Sequence, residues 1–233
     1  MHGRCLLYYI TDRTQFAGDE AARRCALLDK IREAVSVGVD YIQLREKDLS
    51  ARDIEQLACE VVSAVQEVET ERIKSENVSI KNGEMRTRIL VNSRTDVALA
   101  FGADGVHLRS DDVSTRDVRR VVKLAVHSPL PTEHFLIAVS CHSSADVLRA
   151  EAEGADLAVF APVFEKKDAK QVQPQGLDAL REACGARIPV LALGGVTLEN
   201  AASCIEAGAA GIGGIRLFQK NRIEDVVRIL RSI

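Results

Sequence analysis

Apolar positions along the chain follow two rhythms. Stretches with apolar residues three and four apart, the mark of one buried helical face, alternate with short continuous apolar runs that suit strands covered on both sides. A related phrase introduces such a run four times: GVDYIQL from 38, GADGVHL from 102, GADLAVF from 154 and GAAGIGG from 208. Each follows an amphipathic stretch, so it reads as a helix stopped by glycine, a short polar turn and a buried strand. The phrases begin 64, 52 and 54 residues apart, about two strand-plus-helix units, so further strands are expected between them. LLYYITD (6–12), RILVN (88–92), FLIAVS (135–140) and PVLALGG (189–195) supply them. Helices are predicted near 20–37, 51–68, 94–101, 115–126, 144–153, 177–184, 198–207 and 223–231. Eight alternating pairs predict an α/β protein, a (β/α)8 TIM barrel forming a single domain over 1–233. A doubly wound open sheet would carry a phosphate turn after its first strand, and YYITDRTQF has no glycine motif there. Residues 69–87, ETERIKSENVSIKNGEMRT, exceed the usual loop. They are expected to form a polar surface insertion extending the second helix or its loop, removable at little cost in stability if it packs on nothing.

Composition narrows the function classes. The chain of 233 residues is 46% apolar and 28% charged with a net charge of −3, so nothing electrostatic points to nucleic acid. No apolar run is long enough to cross a bilayer, and MHGRCLLYYITDR lacks the core and cleavage site of a signal peptide. A cytoplasmic protein with no nucleic-acid or membrane partner is expected, with a homo-oligomer left open. The six cysteines have no CxxC spacing and read as small buried residues rather than a disulfide frame or a zinc site.

In a barrel of this kind the chemistry gathers at the C-terminal strand ends, and a phosphate commonly sits over the turns after strands 7 and 8. LGGV and GGIR fall there. Gly194, Gly195, Gly214, Ile215 and Arg216 are therefore the candidate phosphate site, with bare main-chain N–H groups and an arginine fork. The alternative is that small residues merely permit tight turns. After strand 2, Gln43, Arg45 and Lys47 occupy alternate positions and share one side of an extended chain. These donors suit a polyanionic substrate, although a solvated charge cluster would look similar. Asn92, Asp112, Ser140 and His142 end strands 3, 4 and 5, and Asp111 and Asp112 could together hold magnesium. Asp112 could instead cap the helix beginning near Thr115, and His142 could be structural. His107 is expected to point into or behind the barrel and is not counted.

The segments YYITD, YIQLREKD, ILVNSRTDVALAFGADGVHL, IAVSCHS, DLAVFAPVF and PVLALGGVTLEN…AGAAGI resemble, in order and spacing, the thiamine-phosphate synthase/TenI family over nearly the whole chain. The resemblance implies a (β/α)8 barrel acting on small phosphorylated substrates. It implies condensation of hydroxymethylpyrimidine diphosphate with thiazole phosphate, releasing diphosphate with magnesium (Mg2+). The alternatives are TenI-like tautomerisation of a thiazole phosphate carboxylate, with His142 as acid/base, or a non-catalytic barrel that binds a phosphate metabolite. By position, Arg45 and Lys47 match the basic pair at the diphosphate, Asn92 the asparagine of an Asn-Asp-Arg motif, Asp112 a magnesium carboxylate and Ser140 a diphosphate contact. Two departures stand out. Ser93 replaces the first magnesium aspartate, with Asp111 a candidate substitute, and the loop after strand 6 offers Lys166, Lys167 and Lys170 where the family carries threonines.

Overall fold

The computed structural model describes residues 4–76, 86–124, 135–165 and 173–233. Strands β1 (Leu6–Ile10), β2 (Tyr41–Leu44), β3 (Arg88–Asn92), β4 (Gly105–Leu108), β5 (Leu136–Cys141), β6 (Leu157–Phe160), β7 (Val190–Ala192) and β8 (Gly211–Gly214) pair in parallel in that order. The ladder between β8 and β1 closes the ring, which rules out the open sheet. Around it run α1 (Glu20–Ser36), α2 (Ala51–Glu76), α3 (Thr95–Phe101), α4 (Thr115–Leu124), α5 (Ser144–Ala152), α6 (Gly176–Ala183), α7 (Ala201–Glu206), α8 (Arg216–Gln219) and α9 (Ile223–Leu230). The predicted (β/α)8 TIM barrel is therefore the fold. No helix among the described residues is long and apolar enough to cross a membrane.

Alternation along each strand sorts the side chains. Tyr8, Ile10, Leu90, Ala138, Val159 and Leu191 fill the interior, while their neighbours Leu7, Tyr9, Val91, Ile137 and Phe160 pack outward under the helices. Burying a large side chain of this kind contributes roughly 1.5–3 kcal/mol. Glycine is needed where strands meet most closely: a Cβ on Gly211 would sit 2.1 Å from the Leu6 carbonyl oxygen.

The repeated phrase has a structural meaning. Its aspartate, ahead of β2, β4 and β6, accepts the N–H of the second residue of the preceding strand: Asp40 from Leu7 at 2.7 Å, Asp104 from Ile89 at 2.8 Å and Asp156 from Ile137 at 2.6 Å. Each carboxylate also meets arginine: Arg4 and Arg231 at Asp40, Arg86 at Asp104 and Arg119 at Asp156. In the fourth copy the position is Ala210, which keeps only the main-chain part, its carbonyl accepting the Leu6 N–H at 2.9 Å. These staples line the N-terminal rim, opposite the strand ends where barrel chemistry gathers.

Three expectations need correction. The second helix runs to Glu76, and Glu69 within it is buried, accepting the Thr87 N–H at 3.0 Å and pairing with Arg72 at 2.9 Å. Thr87 is buried too, its hydroxyl on the Val39 carbonyl at 2.7 Å. Both ends of the 69–87 stretch are thus anchored rather than removable, and 77–85 lie outside the described residues. The seventh helix starts at Ala201 because Asn200 is engaged in the turn, accepting the Thr197 N–H at 2.7 Å. Of the six free cysteines, Cys5, Cys141 and Cys204 are buried and Cys184 half-buried, but Cys25 and Cys59 are exposed.

Candidate active site

At the C-terminal ends of β2, β3 and β4 the interior turns polar. Gln43 Nε2 donates to Asn92 Oδ1 at 2.7 Å, and Asn92 Nδ2 donates to Ser93 Oγ at 3.0 Å. Ser93 Oγ donates to Asp112 Oδ2 at 2.6 Å, and the Arg109 N–H reaches the same oxygen at 2.7 Å. The Arg109 guanidinium meets Asp112 Oδ1 at 3.2 and 3.3 Å. Ser93 adopts φ 60°, the left-handed region, with its N–H on the His107 carbonyl at 2.8 Å. Among the described residues, Gln43 Oε1 is a buried oxygen without a hydrogen-bond partner. Burial pushes the Asp112 carboxyl up, but hydrogen bonds from Ser93 and Arg109 outweigh it and leave the pKa below the ordinary value. Asp112 does not cap α4. That position belongs to Ser114, whose Oγ accepts the Asp117 N–H at 3.2 Å and donates back to Asp117 at 2.8 Å.

A second chain crosses the interior. His107 bridges the Tyr8 hydroxyl and Ser140 Oγ, 2.8 Å from each. Burial, reinforced by the Arg45 charge and opposed by Asp112, depresses the His107 pKa to about 3. The expectation that left His107 aside is thus resolved: it points into the barrel, directly below Ser140. Its register opposite Asn92, which sets it beside the polar cluster, comes from strand pairing and is not visible in the local sequence. Tyr8, on the same interior face, was also missed.

Arg45 is half-buried, its N–H on Thr11 Oγ1 at 2.9 Å, and Lys47 is exposed in the following turn. Asp111 is exposed, 3.5 Å from the Arg109 guanidinium. His142 is exposed at the mouth side of β5, with Nδ1 2.6 Å from the Ala161 carbonyl and its N–H on Asp146 at 3.1 Å. Lys166, Lys167 and Lys170 lie outside the described residues. Among the described residues no group of three or more His, Cys, Asp or Glu side chains gathers at one point to hold a metal ion.

The turns after β7 and β8 are adjacent, since those strands pair. Gly194 and Gly195 have φ of 86° and 70°. A Cβ on Gly195 would fall 2.7 Å from Phe164 and from the Glu165 carbonyl, and one on Gly214 2.9 Å from Leu217 Cβ. The loop after β6 docks there, the Phe164 N–H on the Gly194 carbonyl at 2.9 Å. Close packing therefore demands glycine at 195 and 214, and the left-handed backbone favours it at 194, whatever they bind. Ile215 is half-buried against the interior cluster, and Arg216 is exposed at the start of α8. That helix was not predicted, its four residues being too few to show a period.

A closed parallel barrel with a hydrogen-bonded polar cluster at its C-terminal strand ends places the chain in the class of (β/α)8-barrel enzymes. The chain matches the family described as thiamine monophosphate synthase over residues 7–218. It is 35% identical over 213 residues to a putative thiamine-phosphate synthase 2 of Aquifex aeolicus, covering 91% of this chain and 96% of that one. It is 36% identical over 211 residues to a thiamine-phosphate synthase of Methanoculleus marisnigri, covering 90% and 85%. A solved thiamine phosphate pyrophosphorylase from Pyrococcus furiosus superposes with a TM-score of 0.73 at 26% identity, covering 97% and 94%. The chain belongs to the thiamine monophosphate synthase family, and so to the transferases of thiamine biosynthesis.

Proposed function

We propose that this chain is a cytoplasmic enzyme that joins hydroxymethylpyrimidine diphosphate to thiazole phosphate, forming thiamine phosphate and releasing diphosphate. The observation that carries this reading is the unbroken hydrogen-bonded chain from Gln43 through Asn92 and Ser93 to Asp112 and Arg109, beside the half-buried Arg45. One end offers neutral groups suited to a heterocycle, and the unpartnered Gln43 Oε1 is an acceptor for the pyrimidine amino group. The other end carries cations suited to diphosphate. As the C–O bond breaks, its electrons leave with the diphosphate. Arg45, Lys47 and Arg109 offset that charge, Arg45 most strongly because it is partly desolvated. The thiazole nitrogen then bonds to the exposed pyrimidinyl methylene. Its phosphate would rest on the main-chain N–H groups of Gly194, Gly195, Gly214 and Ile215, with Arg216 as a charged partner. Ser140, fixed by His107, and Lys166, Lys167 and Lys170 are further diphosphate donors in this reading.

Magnesium fits the residues present through Asp112, which hydrogen bonds keep ionised, with Asp111, its neighbour in sequence, as a candidate second carboxylate. An ion held by one or two carboxylates and substrate oxygens would neutralise part of the leaving group's charge. Purified protein given both phosphorylated substrates should form thiamine phosphate and diphosphate in equal amounts, with a rate that falls on chelation of magnesium. No condensation with both substrates present sinks the reading.

One observation favours a second reading, the TenI-type tautomerisation. The 2.6 Å contact with the Ala161 carbonyl places the His142 proton on Nδ1 and makes Nε2 the basic nitrogen, as a proton shuttle requires. Under this reading His142→Ala abolishes aromatisation of the thiazole phosphate carboxylate while ligand affinity holds. Wild-type protein inactive on that substrate removes it.

A further inference from the structure

The loop after β1 holds an arginine that the proposed reaction does not use. Arg13 is 3% exposed and gathers three carboxylates. Its Nε donates to Glu20 at 2.7 Å, Nη1 to Glu46 at 3.2 Å, and the fork grips Asp48 at 2.7 and 2.9 Å. Its N–H adds a bond to Glu46 at 2.9 Å. Thr11, fully buried, ties this group to the mouth: its hydroxyl donates to Glu46 Oε1 at 2.6 Å and accepts the Arg45 N–H at 2.9 Å.

The residues Arg45, Glu46, Lys47 and Asp48 alternate cation and anion. The Glu46 side chain is fully buried against Arg13, while the charge of Arg45 is felt by His107 inside the barrel. Asp12 and, after it, Glu46 are the carboxylates whose charge reaches Arg45; Asp12 is held by Thr14 and Gln15, so Glu46, once released from Arg13, is the carboxylate left to pair with that guanidinium. Building on the diphosphate reading, we propose that Arg13 is a positioning residue: by holding Glu46 and Asp48 behind the β2 strand end, it keeps Arg45 available to the diphosphate in the mouth. Arg13 touches no reacting atom in this account and acts through Glu46 and Thr11.

The test is binding of two probes by calorimetry, inorganic pyrophosphate for the diphosphate end and thiazole phosphate for the other, with KM and kcat measured alongside. Arg13→Gln should weaken pyrophosphate about tenfold or more, the scale of one lost charge-assisted contact. It should raise KM for the diphosphate substrate and leave thiazole phosphate within about twofold. The decisive arm is Arg13→Gln with Glu46→Gln, which removes the carboxylate that would occupy Arg45 and should restore most of the pyrophosphate affinity. A purely structural arginine would not be rescued this way. The inference falls if Arg13→Gln leaves pyrophosphate binding unchanged, if both probes weaken together, if the double variant binds no better than the single one, or if wild type does not bind pyrophosphate. Should Arg13→Gln not fold, Thr11→Val, which unties the Arg45 N–H from Glu46, is judged by the same two affinities. Wild type that fails to condense the substrates but binds pyrophosphate with an affinity that Arg13→Gln weakens and the double variant restores refutes the proposed reaction and leaves this inference standing.

Discussion

Ser93 cannot bring the charge of an aspartate, but it can donate a hydrogen bond to one, and it does so at 2.6 Å from Asp112. A second carboxylate at that distance would repel the first unless a cation lay between them. Ser93→Asp should therefore lower the melting temperature in chelator and gain more from added magnesium than wild type does. Equal magnesium-induced shifts in the two proteins would count against Asp112 as a ligand. The left-handed backbone at 93 tolerates Asp better than most residues, so strain is not expected to mask the result. His107 permits a different measurement. Its pKa, depressed to about 3 in the fold, returns to about 6.5 in the unfolded chain. Between those values the unfolded state binds the extra proton, so stability falls as pH falls and is flat above about 7. Wild type should lose about 2 kcal/mol more than His107→Gln between pH 7 and pH 5, read from urea midpoints at each pH. Parallel pH profiles would show that His107 is not held neutral. Asn92 and Ser140 were legible because each closes an apolar run, and Asp112 because it lies in the polar stretch that follows one. Arg13 was not, because its burial depends on Glu46 and Asp48, which are distant in sequence.

Elements here are joined by devices that repeat. The aspartate ahead of β2, β4 and β6 caps the preceding strand and receives an arginine, and the repeat was visible in the sequence as a phrase before it had a purpose. Asp156→Ala should leave the Ile137 N–H and the Arg119 guanidinium without this partner. A cost of about 1–3 kcal/mol in urea is expected, with KM unchanged because the staple sits on the rim opposite the site. A rise in KM comparable to the loss of stability would contradict that separation. Helix lengths were less legible than helix existence. The sequence left open whether 69–87 extends the second helix or its loop; α2 runs on to Glu76, and Glu69 within it accepts the Thr87 N–H across the connection, a contact no local period reveals.

Closure is the property of the whole molecule on which the site depends, since the β8–β1 ladder is what brings the two glycine turns round to the same mouth as the polar ends of β2, β3 and β4. Gly211→Ala drives a methyl group into the Leu6 backbone at the final seam. Soluble, cooperatively melting protein should be lost or its melting temperature lowered by well over 10 °C, a cost of several kcal/mol for a chain of this size. A variant that melts like wild type would mean the seam has slack. The sequence by itself determined the period of the longer helices, the continuous apolar runs of the strands, the glycine stops and the polar character of the strand ends, because these depend on neighbours a few residues apart. Only the tertiary structure decided which partners those residues meet: Ser93 with Asp112, His107 between Tyr8 and Ser140, Arg13 among three carboxylates, and Gly195 against Phe164. Strand pairing brings those groups together from distant parts of the chain, and burial then sets the strength of each contact.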